Sequence, residues 1–250
     1  MFHGALKNFK YKGFFVMSII NIIRTKYRHC TNQRFTLTDL YQKNFYSKLG
    51  IRQNTFDTLF KLLENQHKSF YNIIETGTSR SGIENITGDG ASTFLFDAFV
   101  NYYDGLVTSI DIDQSAVTKV NSITSPKTQV ICNDSIKELK NIYSNIDCLY
   151  IDSYDVDILN PLPAAEHALK EFQAIEDKIN YKTIIMIDDT PISENYLPPW
   201  TEESLSELGK TKLDIKWPNG KGMLLVPYLE KKGFSKLVHE YQAIFTRDPI

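Results

Sequence analysis

A chain of 250 residues with 42% hydrophobic and 23% charged residues has the make-up of a globular α/β protein, long enough to bury its core without staples. The formal net charge is −2, and the three cysteines (Cys30, Cys132, Cys148) are scattered without CxxC or Cys/His spacing. Those features exclude a disulfide-framed module and a zinc ribbon, and they point to a reducing, cytoplasmic setting.

The charge is unevenly placed. Residues 1–52 hold ten Lys/Arg against one acid, Asp39, so they carry +9 while the remainder carries −11. A basic segment on an acidic body suggests an anionic contact: a membrane surface, an acidic substrate, or the body itself. Inside it, "GFFVMSIINII" (13–23) is too short for a bilayer, which needs roughly 20 apolar residues. No small-residue cleavage site follows it. An amphipathic helix is expected, packing on the body, pairing two subunits as a homodimer, or making peripheral membrane contact. Residues 1–65 are read as a basic helical N-terminal extension, and 66–250 as the catalytic domain.

From residue 71 the pattern alternates. "YNIIET", "GLVTSIDI", "KTQVICND", "IDCLYID", "KTIIMIDD", "GMLLVPYL" and "YQAIFT" have strand length and apolar character. "ASTFLFDAFVNYY", "QSAVTKVNSI", "SIKELKNIY" and "PAAEHALKEFQAIEDKI" between them have helical patterning. Apolar strands alternating with helices predict a Rossmann-like, doubly wound α/β sheet covered on both faces. Ligands of such sheets bind beyond the carboxyl ends of the strands, where strand order reverses.

Five successive strand ends carry acids or small polar groups, and each offers chemistry. The first, "IIETGTSRSGIENITGDGAST" (73–93), is a glycine turn entering a helix. Glycine lets backbone approach a ligand, and a helix start supplies free N–H groups. Neither GxGxxG nor GxxxxGK[ST] is present, which disfavours a nicotinamide oxidoreductase and a P-loop; an idle surface loop stays open. Asp111 is placed to accept from a ribose diol, with Asp113 capping the next helix. Asp134 and Ser135 either hydrogen-bond an adenine or cap "IKELKNIY". Asp152, Asp188 and Asp189 fall at neighbouring strand tips. Three carboxylates without a basic partner repel, so either a divalent cation joins them or they are capping acids.

Together "IIETGTSR…GDGAST", "VTSIDID", "VICNDS", "CLYIDSYD" and "IIMIDDT" resemble the motif series of class I S-adenosylmethionine-dependent methyltransferases. The likeness is closest to the metal-dependent branch that methylates hydroxyls of sugars and natural products. It covers residues 70–192, and more loosely the tail, where it implies an antiparallel strand inserted near the C-terminus of a mostly parallel sheet. It implies that Glu75, Gly77, Thr78 and Ser79 line the methionine moiety of S-adenosylmethionine. Asp111 and Ile112 would hold the ribose side, and Asp134 with Ser135 the adenine. Asp152, Asp188 and Asp189 would bind Mg2+. The branch often reads "IDGD" after the fourth strand, its second acid the proposed base; here "IDSYD" puts Tyr154 at that position. The base is thus open among Asp152, Tyr154, Asp155, Asp157 and His167, and His167 equally suits a core-facing helix position.

The expected function is Mg2+-assisted O-methyl transfer to a sugar or other polar hydroxyl compound, small or carrier-linked, in polysaccharide (surface-glycan) or natural-product biosynthesis. A non-catalytic module of the same fold is the other alternative. No nucleic-acid partner is expected, because the body lacks a dense basic and aromatic patch. Residues 193–222, with Trp200, Trp217 and a Gly-Lys-Gly turn, suit an acceptor-side lid; the tryptophans either stack on a sugar or pin the loop.

Overall fold

The computed structural model describes residues 37–81, 85–199 and 201–247; the segment 13–23 and Trp200 lie outside them. β1 (Tyr71–Thr76) pairs in parallel with β2 (Gly105–Asp111) on one side and β4 (Cys148–Ile151) on the other. β2 carries β3 (Thr128–Cys132) at one edge, and β4 pairs in parallel with β5 (Ile184–Ile187). β7 (Ala243–Thr246) lies antiparallel to both β5 and β6 (Ser235–His239), giving the order β3-β2-β1-β4-β5-β7-β6. The expected Rossmann-like sheet is present, with its inserted antiparallel strand. Strand order reverses between β1 and β4, where such sheets bind ligands.

The helices in chain order are α1 (Leu37–Asn44), α2 (Gln53–Asn65), α3 (Ile86–Asp89), α4 (Ser92–Tyr103), α5 (Gln114–Asn121), α6 (Ser135–Leu139), α7 (Leu162–Ile175), α8 (Thr201–Glu207) and α9 (Gly222–Lys231). Side chains alternate across a strand, so each strand feeds two cores. Ile73, Tyr150 and Met186 face an aromatic cluster with Phe56 and Phe60 of α2 and Phe96 and Phe99 of α4. There Phe60 stacks on Phe99 at 5.7 Å, and Tyr71 meets Phe99 edge-on at 4.9 Å. Ile74, Leu149, Ile151, Ile185 and Ile187 face the opposite core, with Phe172 of α7 and Leu225 and Leu229 of α9. β4 and β5 are buried along their whole length, which accounts for their unbroken apolar runs.

One expectation meets a different arrangement. "GMLLVPYL", read as a strand, is the start of α9. Its buried residues Leu225, Val226 and Leu229 fall at helical spacing on one face, and an apolar run of that length suits either element. The strand following it is the more polar "SKLVH", β6, an edge strand. Among the described residues before the expected boundary at 65, α2 buries Phe56, Leu59, Phe60 and Leu63 in the core beside the sheet.

Candidate functional site

A cleft of about 800 Å3 opens over the carboxyl ends of β1 to β5. It is within the size range of small-molecule sites. Its floor is the turn after β1. Gly77 sits at φ +79°, a left-handed conformation, and its N–H donates to the Ile110 carbonyl at 2.8 Å. A Cβ there would lie 2.7 Å from the Asp152 carbonyl oxygen, so glycine is required where β1 and β4 come together.

Glu75, expected to line the cleft, is instead fully buried beneath the turn. Its Oε2 accepts from the Thr93 hydroxyl at 2.7 Å, and no hydrogen bond reaches Oε1. Burial pushes its carboxyl up to about 7. Ser79 is also buried; its N–H donates to Thr93 Oγ1 at 3.1 Å, and it does not reach the cleft. Contacts with Thr93 hold both residues beneath the turn, leaving Gly77 and Thr78 on the cleft wall.

Asp111 lines the cleft at the end of β2 and accepts from the N–H groups of Thr78 (2.9 Å) and Asp113 (2.8 Å). Ile112 beside it is 78% exposed and forms an apolar shelf in the cleft. Asp113 caps α5 by accepting from Ser115 N–H at 2.8 Å. Asp134 caps α6, accepting from Lys137 N–H at 2.9 Å, and it lines the cleft as well, as does Ser135.

The acids after β4 and β5 do converge: Asp152, Asp188 and Asp189 each offer an oxygen within 4.8 Å of the others. The premise that no basic partner joins them is overturned. Arg52, from the turn before α2, donates through Nε to both oxygens of Asp188 (2.9 and 3.1 Å) and through Nη2 to Asp189 (3.1 Å). Lys221 donates to Asp152 Oδ1 at 2.6 Å, to the Asp152 carbonyl at 3.1 Å and to Asp189 Oδ2 at 2.7 Å. Tyr150 donates to Asp188 at 2.6 Å, and Tyr241 donates to Asp189. Two buried cations thus face the three acids.

Magnesium therefore does not fit these residues as they stand. Five of the six carboxylate oxygens already accept from Arg52, Lys221, a tyrosine or the Asp189 N–H. Asp188, wholly buried, does not reach the cleft. The remaining oxygen, Asp152 Oδ2, has no partner among the described residues. Burial and the two neighbouring acids hold the Asp152 carboxyl above the usual range, against the pull of Lys221. Asp189 lies below it, because Lys221 and Arg52 outweigh its burial. Asp189 and Tyr154 both have left-handed backbones (φ +43° and +70°), the sort of strain that gathers at functional sites.

Of the other candidates, Tyr154, Asp155, Asp157 and His167 all line the cleft. Asp155 pairs with Arg80 at 2.6 Å, and that bond holds its carboxyl low, which weakens it as a base. His167 faces the cleft, its Nε2 3.2 Å from Ser135 Oγ and 3.4 Å from the buried Glu171, its ring against Tyr154 at 5.3 Å. Within 193–222, Pro198, Thr201, Ser204, Leu205, Leu208, Asn219 and Lys221 wall the cleft, whereas Trp217 stands outside it.

Arg52 and Lys221 were absent from the sequence-derived site. For Lys221 a signal existed in "GKG". A Cβ on Gly220 would sit 1.7 Å from the Asp189 carbonyl oxygen, and one on Gly222 would sit 1.8 Å from Thr190 Oγ1. The two glycines press the lysine backbone onto the β5 turn, where Lys221 N–H donates to the Asp189 carbonyl at 3.1 Å. Arg52 had no local signal beyond the surplus of positive charge before it.

No family model matches the sequence, and no curated protein matches it. Among solved structures, the MycE methyltransferase from the mycinamycin biosynthetic pathway, in complex with Mg and SAH, matches at TM-score 0.53 and 14% identity, over 86% of this chain and 55% of that one. The same methyltransferase with Mg, SAH and mycinamycin VI matches at TM-score 0.52 and 16% identity, over 86% and 54%. The chain thus spans about half the length of those structures. Among the described residues, no helix is long and apolar enough to cross a membrane. Strand order, the inserted β7 and these matches together give the chain the Rossmann-like fold of the class I S-adenosylmethionine-dependent methyltransferases.

Proposed function

We propose that the chain is an S-adenosylmethionine-dependent O-methyltransferase acting on a hydroxyl of a sugar or another small polar compound. One observation carries the reading. The glycine turn, Asp111 and the exposed Ile112 share a single cleft with Asp152. The residues fit the cofactor: Gly77 leaves the backbone bare, Asp111 presents a carboxylate at the strand end, and Ile112 offers an apolar face to a base. The buried Glu75, one oxygen unpartnered, favours a cationic ligand above the turn. When bound, the sulfonium supplies an activated methyl group.

Gly77 and Thr78 would support the amino-acid end, Asp111 the ribose, and Ile112 with Asp134 and Ser135 the base. The protein's task is then alignment and removal of one proton. Asp152, through Oδ2, would accept the proton that the acceptor hydroxyl gives up. Burial and the two neighbouring acids raise that carboxyl, which makes its ionised form a stronger proton acceptor. Arg80 and Asp155 bridge the cleft between the β1 and β4 loops, and α8 closes its acceptor side.

Titration calorimetry of the intact protein with S-adenosylmethionine tests the reading. Binding is expected, together with its loss in Asp111→Ala. No heat from the intact protein rejects the proposal. Labelled methyl transfer to a panel of sugars and polyols then identifies the acceptor.

A further inference from the structure

We infer that the tethered ammonium of Lys221 takes the place of the divalent cation that three acids at these strand ends would otherwise require. The inference rests on the methyltransferase reading for its bearing on the reaction; the occupancy itself rests on geometry. The side chain of Lys221 is 1% exposed, and its three N–H donors match the three acceptors around it at 2.6, 2.7 and 3.1 Å. The two shorter ones, to carboxylate oxygens, are charge-assisted N–H···O bonds. Its backbone has no freedom to withdraw, because Gly220 and Gly222 pack directly on the β5 turn. An ion bridging Asp152 and Asp189 would have to occupy the position of Nζ, and a nearby ammonium would repel it.

Arg52 has the same role deeper in the cluster, against Asp188 and Asp189. Positive and negative groups therefore alternate from Arg52 through Asp189 and Lys221 to Asp152, which lines the cleft. With all its donors engaged, Lys221 offers none to the acceptor. It is a positioning residue, acting through Asp152: it fixes one carboxylate oxygen so that the other is presented to the hydroxyl. Methyl transfer then proceeds in the presence of chelators.

The test is a Mn2+ titration of the full chain, read as loss of the free-ion paramagnetic resonance signal, with S-adenosylmethionine calorimetry alongside. The wild type is expected to take up no Mn2+. Lys221→Ala, which opens a space between Asp152 and Asp189, is expected to bind one ion, lose it again when Asp152→Asn is added, and transfer methyl groups only with metal. Stoichiometric Mn2+ binding by the wild type, abolished by Asp152→Asn, overturns the inference, as does a folded Lys221→Ala that binds none. If that variant does not fold, the wild-type titration decides alone. Absence of S-adenosylmethionine binding rejects the methyltransferase reading separately, whatever Mn2+ does.

Discussion

At Glu75 the fold encloses a carboxyl completely, with one oxygen bonded to Thr93 and the other bare. Burial moves its protonation from the ordinary 4.5 to about 7. Between those values the folded chain keeps a proton that the unfolded chain releases, so stability falls as pH rises through that window. Glu75→Gln removes the slope. Urea unfolding is expected to show the variant gaining roughly 2–3 kcal/mol on the wild type between pH 5 and pH 7.5. Parallel pH profiles would contradict the burial account. The position of this acid at the end of β1 was legible in sequence, but its orientation was not: a strand end has two faces, and Thr93 on the following helix selects the inner one. Asp111 was legible in both respects, since the next residues, Ile112 and Asp113, must turn outward to start α5.

At the scale of elements, the turns decide whether the cleft exists. Gly77→Ala would place a methyl 2.7 Å from the Asp152 carbonyl oxygen in a left-handed backbone that costs about 1–2 kcal/mol by itself. Gly220→Ala meets the Asp189 carbonyl at 1.7 Å, where no side chain is available to yield. Thermal melting should show Gly220→Ala falling further than Gly77→Ala, and Gly209→Ala, whose Cβ meets nothing, falling least. The reverse order would mean that these contacts are soft. β4 and β5 were readable as strands because both of their faces are buried. α9 was not, because ten residues with an apolar face satisfy either period, and the deciding contact, its packing on α7 and β7, lies elsewhere in the chain.

For the whole molecule, the telling contact is Arg52 with Asp188, 136 residues apart. Removing the arginine leaves buried acids uncompensated, a change that typically costs about 3–5 kcal/mol. Arg52→Met is expected to lower the melting temperature by on the order of 10 °C, using roughly 2–4 °C per kcal/mol for a chain of this size. Adding Asp188→Asn should recover some of the loss; additive losses would show that the two do not interact. The parallel, doubly covered sheet followed from the alternating pattern, and its inserted antiparallel strand from the family resemblance. The counter-charges did not, because no local rule links residue 52 to residue 188.

That distance has a bearing on how the chain matures. The sheet can register its strands through apolar contacts, but Asp188 is enclosed by Tyr150 and meets its cation only when the segment before α2 has docked. Without Arg52 the buried acid lacks its counter-charge, a state that opposes closure of the core around it. The segment that brings Arg52 therefore belongs to the core and to the charge balance of the cleft at once. A molecule that is fully folded is therefore one whose site is already assembled.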